Sequence, residues 1–162
     1  MKKIIISIIS IFVLSISIFI INYILVERSQ SEISQGKPII QKEPIKQALL
    51  VIDIQEGITG KASTDDFFIS KSEMLIKIVN HILDSSARYN IPIIYVKNEI
   101  SNPLINILNN SLAKDSPGVE LDSRLKIQSN YIINKDKGDA FTAALAMREK
   151  LKQLNEGWRK EA

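Results

Sequence analysis

The chain has 162 residues, 45% apolar and 24% charged, enough apolar material for one packed domain plus an appendage and too much for global disorder. Its formal charge is +3, but Lys2 and Lys3 precede the first apolar run and all 18 acids follow it, which leaves 19 bases against 18 acids in the remainder. That balance gives no net-basic face for nucleic acid, and the absence of cysteine excludes disulfides and thiolate metal sites.

From Ile4 to Val26 no residue is charged. At ~1.5 Å rise per residue, a helix of that length crosses a ~30 Å hydrocarbon core. The four serines within it can bond back to their own helix, and Asn22 and Tyr23 fall where the interface would be. A cleaved signal peptide has a shorter apolar region, ~7–15 residues, closed by small residues; "NYILVERS" offers no such site. The run reads as a single-pass signal anchor over 4–26, with 1–3 as a cytoplasmic stub. Lys2 and Lys3 place the body on the extracytoplasmic side of the cell membrane. Residues 27–46 are polar and punctuated by Gly36, Pro38 and Pro44, the composition of a tether. The domain then occupies 47–162.

"QALLVIDI", Gln47 to Ile54, predicts a strand, and its apolar character on both faces predicts a central parallel one. The helical spacing that follows puts Met74, Leu75, Ile78, Val79, Ile82 and Leu83 on one face, with Ser70 or Ser72 as the cap. Asp65 and Asp66 read as a solvated entry to that helix. "IPIIYVK", Ile91 to Lys97, predicts a second buried strand, so the segment is a βαβ unit. A short helix is expected near Pro103, a break at Pro117–Gly118, a third strand over Tyr131–Lys135, and a closing helix over Phe141–Leu154. The fold class is α/β: a mostly parallel sheet flanked by helices in three layers, short of strands at its C-terminal end.

In open parallel sheets, ligands gather at the carboxyl ends of the strands. Asp53 stands at such an end, Asn98 and Glu99 at a second, and Lys135 at a third. Polar groups from three segments then converge on one rim, where an acid and a lysine can hold each other charged. The plainer alternative is a strand-end Asp that caps a turn and a solvated lysine.

Four stretches in order, "ALLVIDIQEG", "IPIIYVKNE", "GVELDSRL" and "KDKGDAF", resemble the isochorismatase-like cysteine hydrolases, a family that includes isochorismatases and nicotinamidases. The resemblance covers roughly Gln47 to Thr142 and implies a Rossmann-like parallel sheet flanked by helices. It also implies a site built from an Asp, a Lys and a Cys. Asp53 matches the acid, and Lys135 matches the lysine of a K-x-x-x-x-A-F segment that ends in Phe141. In such a site the acid takes the thiol proton, the thiolate attacks an amide-type carbonyl, and the lysine steadies the developing charge. Gln55, Asn98, Glu99 and Phe141 are the candidate substrate-binding residues. Gly118, Asp122 and Arg124 resemble the loop before the third strand, with an Asp–Arg pair fixing a turn.

The family's cysteine lies beyond a further strand, and this chain has no cysteine and, after Thr142, no serine or threonine. The chain therefore reads as truncated or frameshifted before the nucleophile. The expected function is that of a membrane-anchored hydrolase domain for a C–N amide-type or related bond in a small molecule, inactive in this chain. The alternative is a non-catalytic α/β binding or interaction domain tethered to the membrane. No cofactor and no metal are called for, since the lone His81 cannot build a metal site. The implied partners are a small-molecule substrate and the membrane, with a homo-oligomer allowed and no nucleic acid.

Overall fold

The computed structural model describes residues 2–31, 33, 47–108 and 111–143. A helix, α1, runs from Lys2 to Gln30 with no buried residue, and by length and composition it is apolar enough to cross a bilayer. It continues four residues beyond the expected end of the span. The rest of the expected tether, apart from 31 and 33, lies outside the described residues.

The domain opens with β1, Leu49–Ile52, followed by helix α2, Asp66–Arg88, and strand β2, Ile93–Asn98. A short helix α3 spans Pro103–Leu108, and strand β3 spans Ile132–Lys135. The strands form a parallel sheet in the order β1-β2-β3, with Leu50 opposite Ile94 and Asn98 opposite Lys135. The expected βαβ unit is present. Its central strand is β2, however, fully buried along Ile93–Lys97. Among the described residues β1 is an edge strand, with Ile52 38% exposed. An apolar run on both faces shows that a strand is covered, but not which neighbour it pairs with.

The sheet buries residues on both faces. Val51, Ile93 and Tyr95 pack with Ile76 and Leu83 of α2 and with Leu125. Ile94, Val96 and Ile133 form the other cluster, against Leu50, Tyr131, Ala140 and Ala143. The alternation follows from the two-residue period of a strand.

Helix α2 corrects two expectations. Its N-cap is Asp65, whose Oδ1 accepts from the Phe67 and Phe68 amides at 2.9 and 3.3 Å. Ser70 and Ser72 lie inside the helix and donate to the carbonyls of Phe67 and Ile69. The face turned to the sheet carries Ser72, Ile76, Leu83 and Ser86, with Val79 packed beside them. Met74, Leu75, Ile78 and Ile82 face outward. The helix has apolar residues on two neighbouring stripes, and the one that carries Ser72 and Ser86 packs against the sheet. Of the expected closing helix, Ala140–Ala143 forms one 3-10 turn, and the remainder lies outside the described residues.

Candidate active site

Asp53 directly follows β1 and adopts the left-handed region, with φ at 59°. Its amide still donates to the Val96 carbonyl at 3.0 Å, so the chain stays stitched to β2 while it turns. Asp tolerates this conformation better than most residues, and strained backbone of this kind is concentrated at functional positions. The turn swings the carboxylate over the sheet edge toward β3.

There it meets Lys135, the last residue of β3. Asp53 Oδ2 lies 3.1 Å from the Lys135 ammonium, whose side chain is 1% exposed against 35% for the acid. The ammonium also donates to the carbonyls of Lys137 and Gly138 at 3.1 and 3.0 Å. An ammonium has three protons, and each has an acceptor here. Asp53 Oδ1, by contrast, is buried with no hydrogen-bond partner. An unsatisfied buried acceptor costs about 1–3 kcal/mol.

The other predicted residues divide. Asn98 stands beside Lys135 in register, its amide accepted by Gln55 Oε1 at 2.7 Å, and its own Oδ1 is buried without a partner. Gln55 is fully buried, and its amide donates to the carbonyls of Asn98 and Val119 at 2.9 and 2.8 Å. With donors and acceptor all engaged, it ties the end of β2 to the 117–119 turn. The Glu99 carboxylate accepts from Asn134 at 3.1 Å and lies 3.9 Å from the Lys114 ammonium. Phe141 is 57% exposed on the final 3-10 turn. The structure thus brings Asp53, Asn98 and Lys135 together, and gives Gln55 and Glu99 to the frame around them.

A cleft of about 520 Å³ opens beside Asp53, walled by Ile54, Ile58, Phe68, Leu75 and Leu112. A larger hollow of about 820 Å³ runs along the outer side of α2 past Met74, His81 and Arg124, away from the acid–lysine pair. The smaller cleft is lined by Asp53, one member of the acid–lysine pair, while Lys135 and Asn98 do not line it.

The loop from 54 to 62 is held by Asp122 and Arg124, the pair expected to fix a turn, together with Thr59 and Glu56. Asp122, 1% exposed, accepts from Arg124 Nε at 2.9 Å, from Arg124 Nη2 at 2.6 Å and from the Thr59 hydroxyl at 2.7 Å. Burial alone would raise its pKa, but the Arg124 and Thr59 hydrogen bonds outweigh burial and hold the carboxyl below the usual range. Arg124 in turn donates to the Thr59 carbonyl and to the Ser72 hydroxyl, so one guanidinium joins loop, turn and α2. The Asp122–Arg124 turn pair is therefore a clamp across three segments. Glu56 caps the same turn through the Ser123 amide at 2.7 Å and the Lys61 amide at 2.9 Å. Burial opposes its ionisation, and these bonds still leave its pKa lowered. Gly118 sits where a Cβ would collide with the Ser111 carbonyl oxygen. The Asp-x-Arg spacing inside "GVELDSRL" marked the pair itself; its reach to Thr59 and Ser72 left no local pattern.

A parallel α/β sheet with a charged pair at its carboxyl edge defines the class of protein. Residues 47–156 match the isochorismatase domain, and the chain belongs to that family. Among solved structures, the chain is similar to a protein of Burkholderia xenovorans LB400 assigned as an isochorismatase, at 24% identity over 66% of this chain and 49% of that one, with a TM-score of 0.48. It is also similar to a protein of Chromobacterium violaceum ATCC 12472 assigned as a hydrolase of the isochorismatase family, at 16% identity over 71% and 57% of the two chains and a TM-score of 0.47. A third isochorismatase family protein matches at 22% identity over 63% and 57%, with a TM-score of 0.45. The chain thus spans about half the length of the solved structures it matches. No curated protein matches it.

Proposed function

We propose that this domain carries the acid–lysine part of an isochorismatase-family hydrolase site, directed at an amide-type C–N or related bond in a small molecule. In this reading α1 holds it at the cell membrane, with the domain on the extracytoplasmic side. The observation that carries the site reading is the Asp53–Lys135 pair, with one carboxylate oxygen on the ammonium and the other buried and unpartnered.

The roles follow from the bonding. Asp53 Oδ1 is a buried acceptor with no internal partner, and the role of taking a nucleophile's proton requires the nucleophile to enter the site beside it. Lys135 has no proton to spare for substrate. It acts through its fixed positive charge, which favours ionised Asp53 and steadies negative charge as it develops on a carbonyl oxygen. Asn98 Oδ1, also unpartnered, is an acceptor for a substrate N–H. The 162 residues contain no cysteine, so the family's nucleophilic step requires a thiol from outside them. The chain by itself is expected to bind small carboxamides and to release no ammonia from them.

The test is a titration of the full-length chain in detergent with a panel of small carboxamides, read by line broadening of the ligand protons and by ammonia release. Saturable binding that disappears in Asp53→Ala, without turnover, is expected. Turnover dependent on Asp53 would overturn the thiol requirement. No binding by any carboxamide would favour the second reading, a membrane-tethered interaction domain, which the absence of cysteine and the outward apolar residues of α2 support.

A further inference from the structure

We propose that the domain rests on the membrane surface through the face made by α3 and the 136–138 loop, with the Asp53–Lys135 rim held at headgroup level. The proposal rests on the reading of α1 as a membrane anchor, and the partner it names is the lipid–water interface.

The C-terminal turns of α1 are seated on the domain. Over its last eleven residues only Asn22, Val26 and Gln30 are half-buried, and they lie four apart, on one side of the helix. Asn102 Nδ2 donates to Asn22 Oδ1 at 3.1 Å, and the Gln30 side-chain amide donates to the Asp136 carbonyl. The helix also packs against α3. Between them a hollow of about 320 Å³ is lined by Val26, Gln30, Ile100, Asn102 and Asp136. This seam is more than a tether would need.

The seam fixes a height. Asn22 lies four residues before Val26, the last residue of the uncharged run, and Gln30 four residues after it. At ~1.5 Å per residue these contacts fall about 6 Å to either side of the end of the apolar span. Gln30 then lies in the headgroup zone and Asn22 at the margin of the hydrocarbon. Asn102 and Asp136 are therefore held at those depths. Both follow strand ends, β2 and β3, so the edge brought to the interface is the carboxyl edge that carries Asp53 and Lys135. A Cβ on Gly138 would approach the Gln30 carbonyl oxygen to 2.9 Å, and the Gly138 carbonyl is itself an acceptor for the Lys135 ammonium. The helix end thus abuts the loop that holds the lysine. At the same height α3 carries no charge and leaves Ile107 74% exposed, the chemistry of a segment that dips among headgroups. Substrates concentrated at the interface then arrive next to the rim.

Because the chain has no cysteine, each engineered cysteine is unique. The full-length chain is reconstituted in phosphatidylcholine–phosphatidylglycerol vesicles, and alkaline carbonate extraction first reports anchoring by itself. The pair Asn22→Cys with Asn102→Cys is then oxidised with copper phenanthroline. An intramolecular disulfide is expected at least tenfold faster than for Ile24→Cys with Asn102→Cys, where the first residue faces away. Gln30→Cys with Asp136→Cys reads the same seam independently, should the first pair fold poorly. Last, an environment-sensitive fluorophore on Ile107→Cys is quenched by bilayer spin labels. At least threefold stronger quenching is expected than for Tyr89→Cys, 78% exposed at the opposite edge of the sheet. A carbonate-resistant chain that shows no pair selectivity, or equal quenching at the two sites, overturns the seating and leaves the anchor standing. Release by carbonate overturns the anchor and the seating with it.

Discussion

Replacing Lys135 by Met keeps the aliphatic stem inside the protein and removes the ammonium, which isolates the electrostatic role of the pair. Three interactions are lost: the ion pair to Asp53 at 3.1 Å and the bonds to the carbonyls of Lys137 and Gly138. Breaking a fully buried ion pair by removing one partner costs about 3–5 kcal/mol. The Asp53 side chain is 35% exposed, so water recovers part of that, and about 2 kcal/mol remains. Two carbonyls deprived of a donor add roughly 1 kcal/mol, given that net hydrogen-bond values are about 0.5–1.5 kcal/mol each and loop carbonyls can be rehydrated. A loss of about 3 kcal/mol is expected, a large share of a typical domain stability of about 5–15 kcal/mol. Asp53→Asn keeps an oxygen for the ammonium and should cost about 1 kcal/mol. The double variant should be more stable than the sum of the two losses implies, by at least about 1 kcal/mol. Pulse proteolysis across a urea series, on the full-length chain in micelles, measures all three. A Lys135→Met chain within about 0.5 kcal/mol of the parent, or strict additivity in the double variant, would refute the buried-pair reasoning.

Arg124→Lys keeps the charge but cannot reproduce the fork that reaches Asp122, Thr59 and Ser72, so a loss of about 2 kcal/mol is expected in the same urea series. Asp122 and Glu56 both have lowered pKa values in the folded chain, so their stabilisation is complete above the unfolded carboxyl value of about 4 and fades as pH falls through their folded values. Stability measured from pH 6 to pH 2 should fall toward acid, with a shallower slope in Asp122→Asn. Gly118→Ala should yield little folded protein, because the new methyl meets the Ser111 carbonyl, a backbone atom that cannot swing aside; a soluble chain with unchanged protease resistance would contradict this. Asp65→Ala should lose about 1 kcal/mol through the vacated N-cap, detectable as faster amide exchange at Phe67 and Phe68.

The order of elements was legible in the sequence because each is a local pattern. "LLVI" and "IIYV" are short apolar runs, Met74–Leu83 has helical spacing, and the uncharged stretch from Ile4 is visible by inspection. The place of Asp53 and Lys135 at strand ends was legible too, and parallel strands put such ends on one edge. Tertiary structure decided the rest. It chose the Ser72–Ile76–Leu83 face of α2 over the equally apolar Met74–Ile82 side, because periodicity marks stripes and packing selects among them. It turned Gln55 inward, since a buried amide must satisfy its polar atoms with whatever backbone lies within reach, here 43 and 64 residues away. It closed three carbonyl and carboxylate acceptors around one ammonium, and it laid the end of α1 against Asn102 and Asp136. Contacts between segments so far apart in the chain leave no local pattern; they exist only once the sheet has brought its strand ends together.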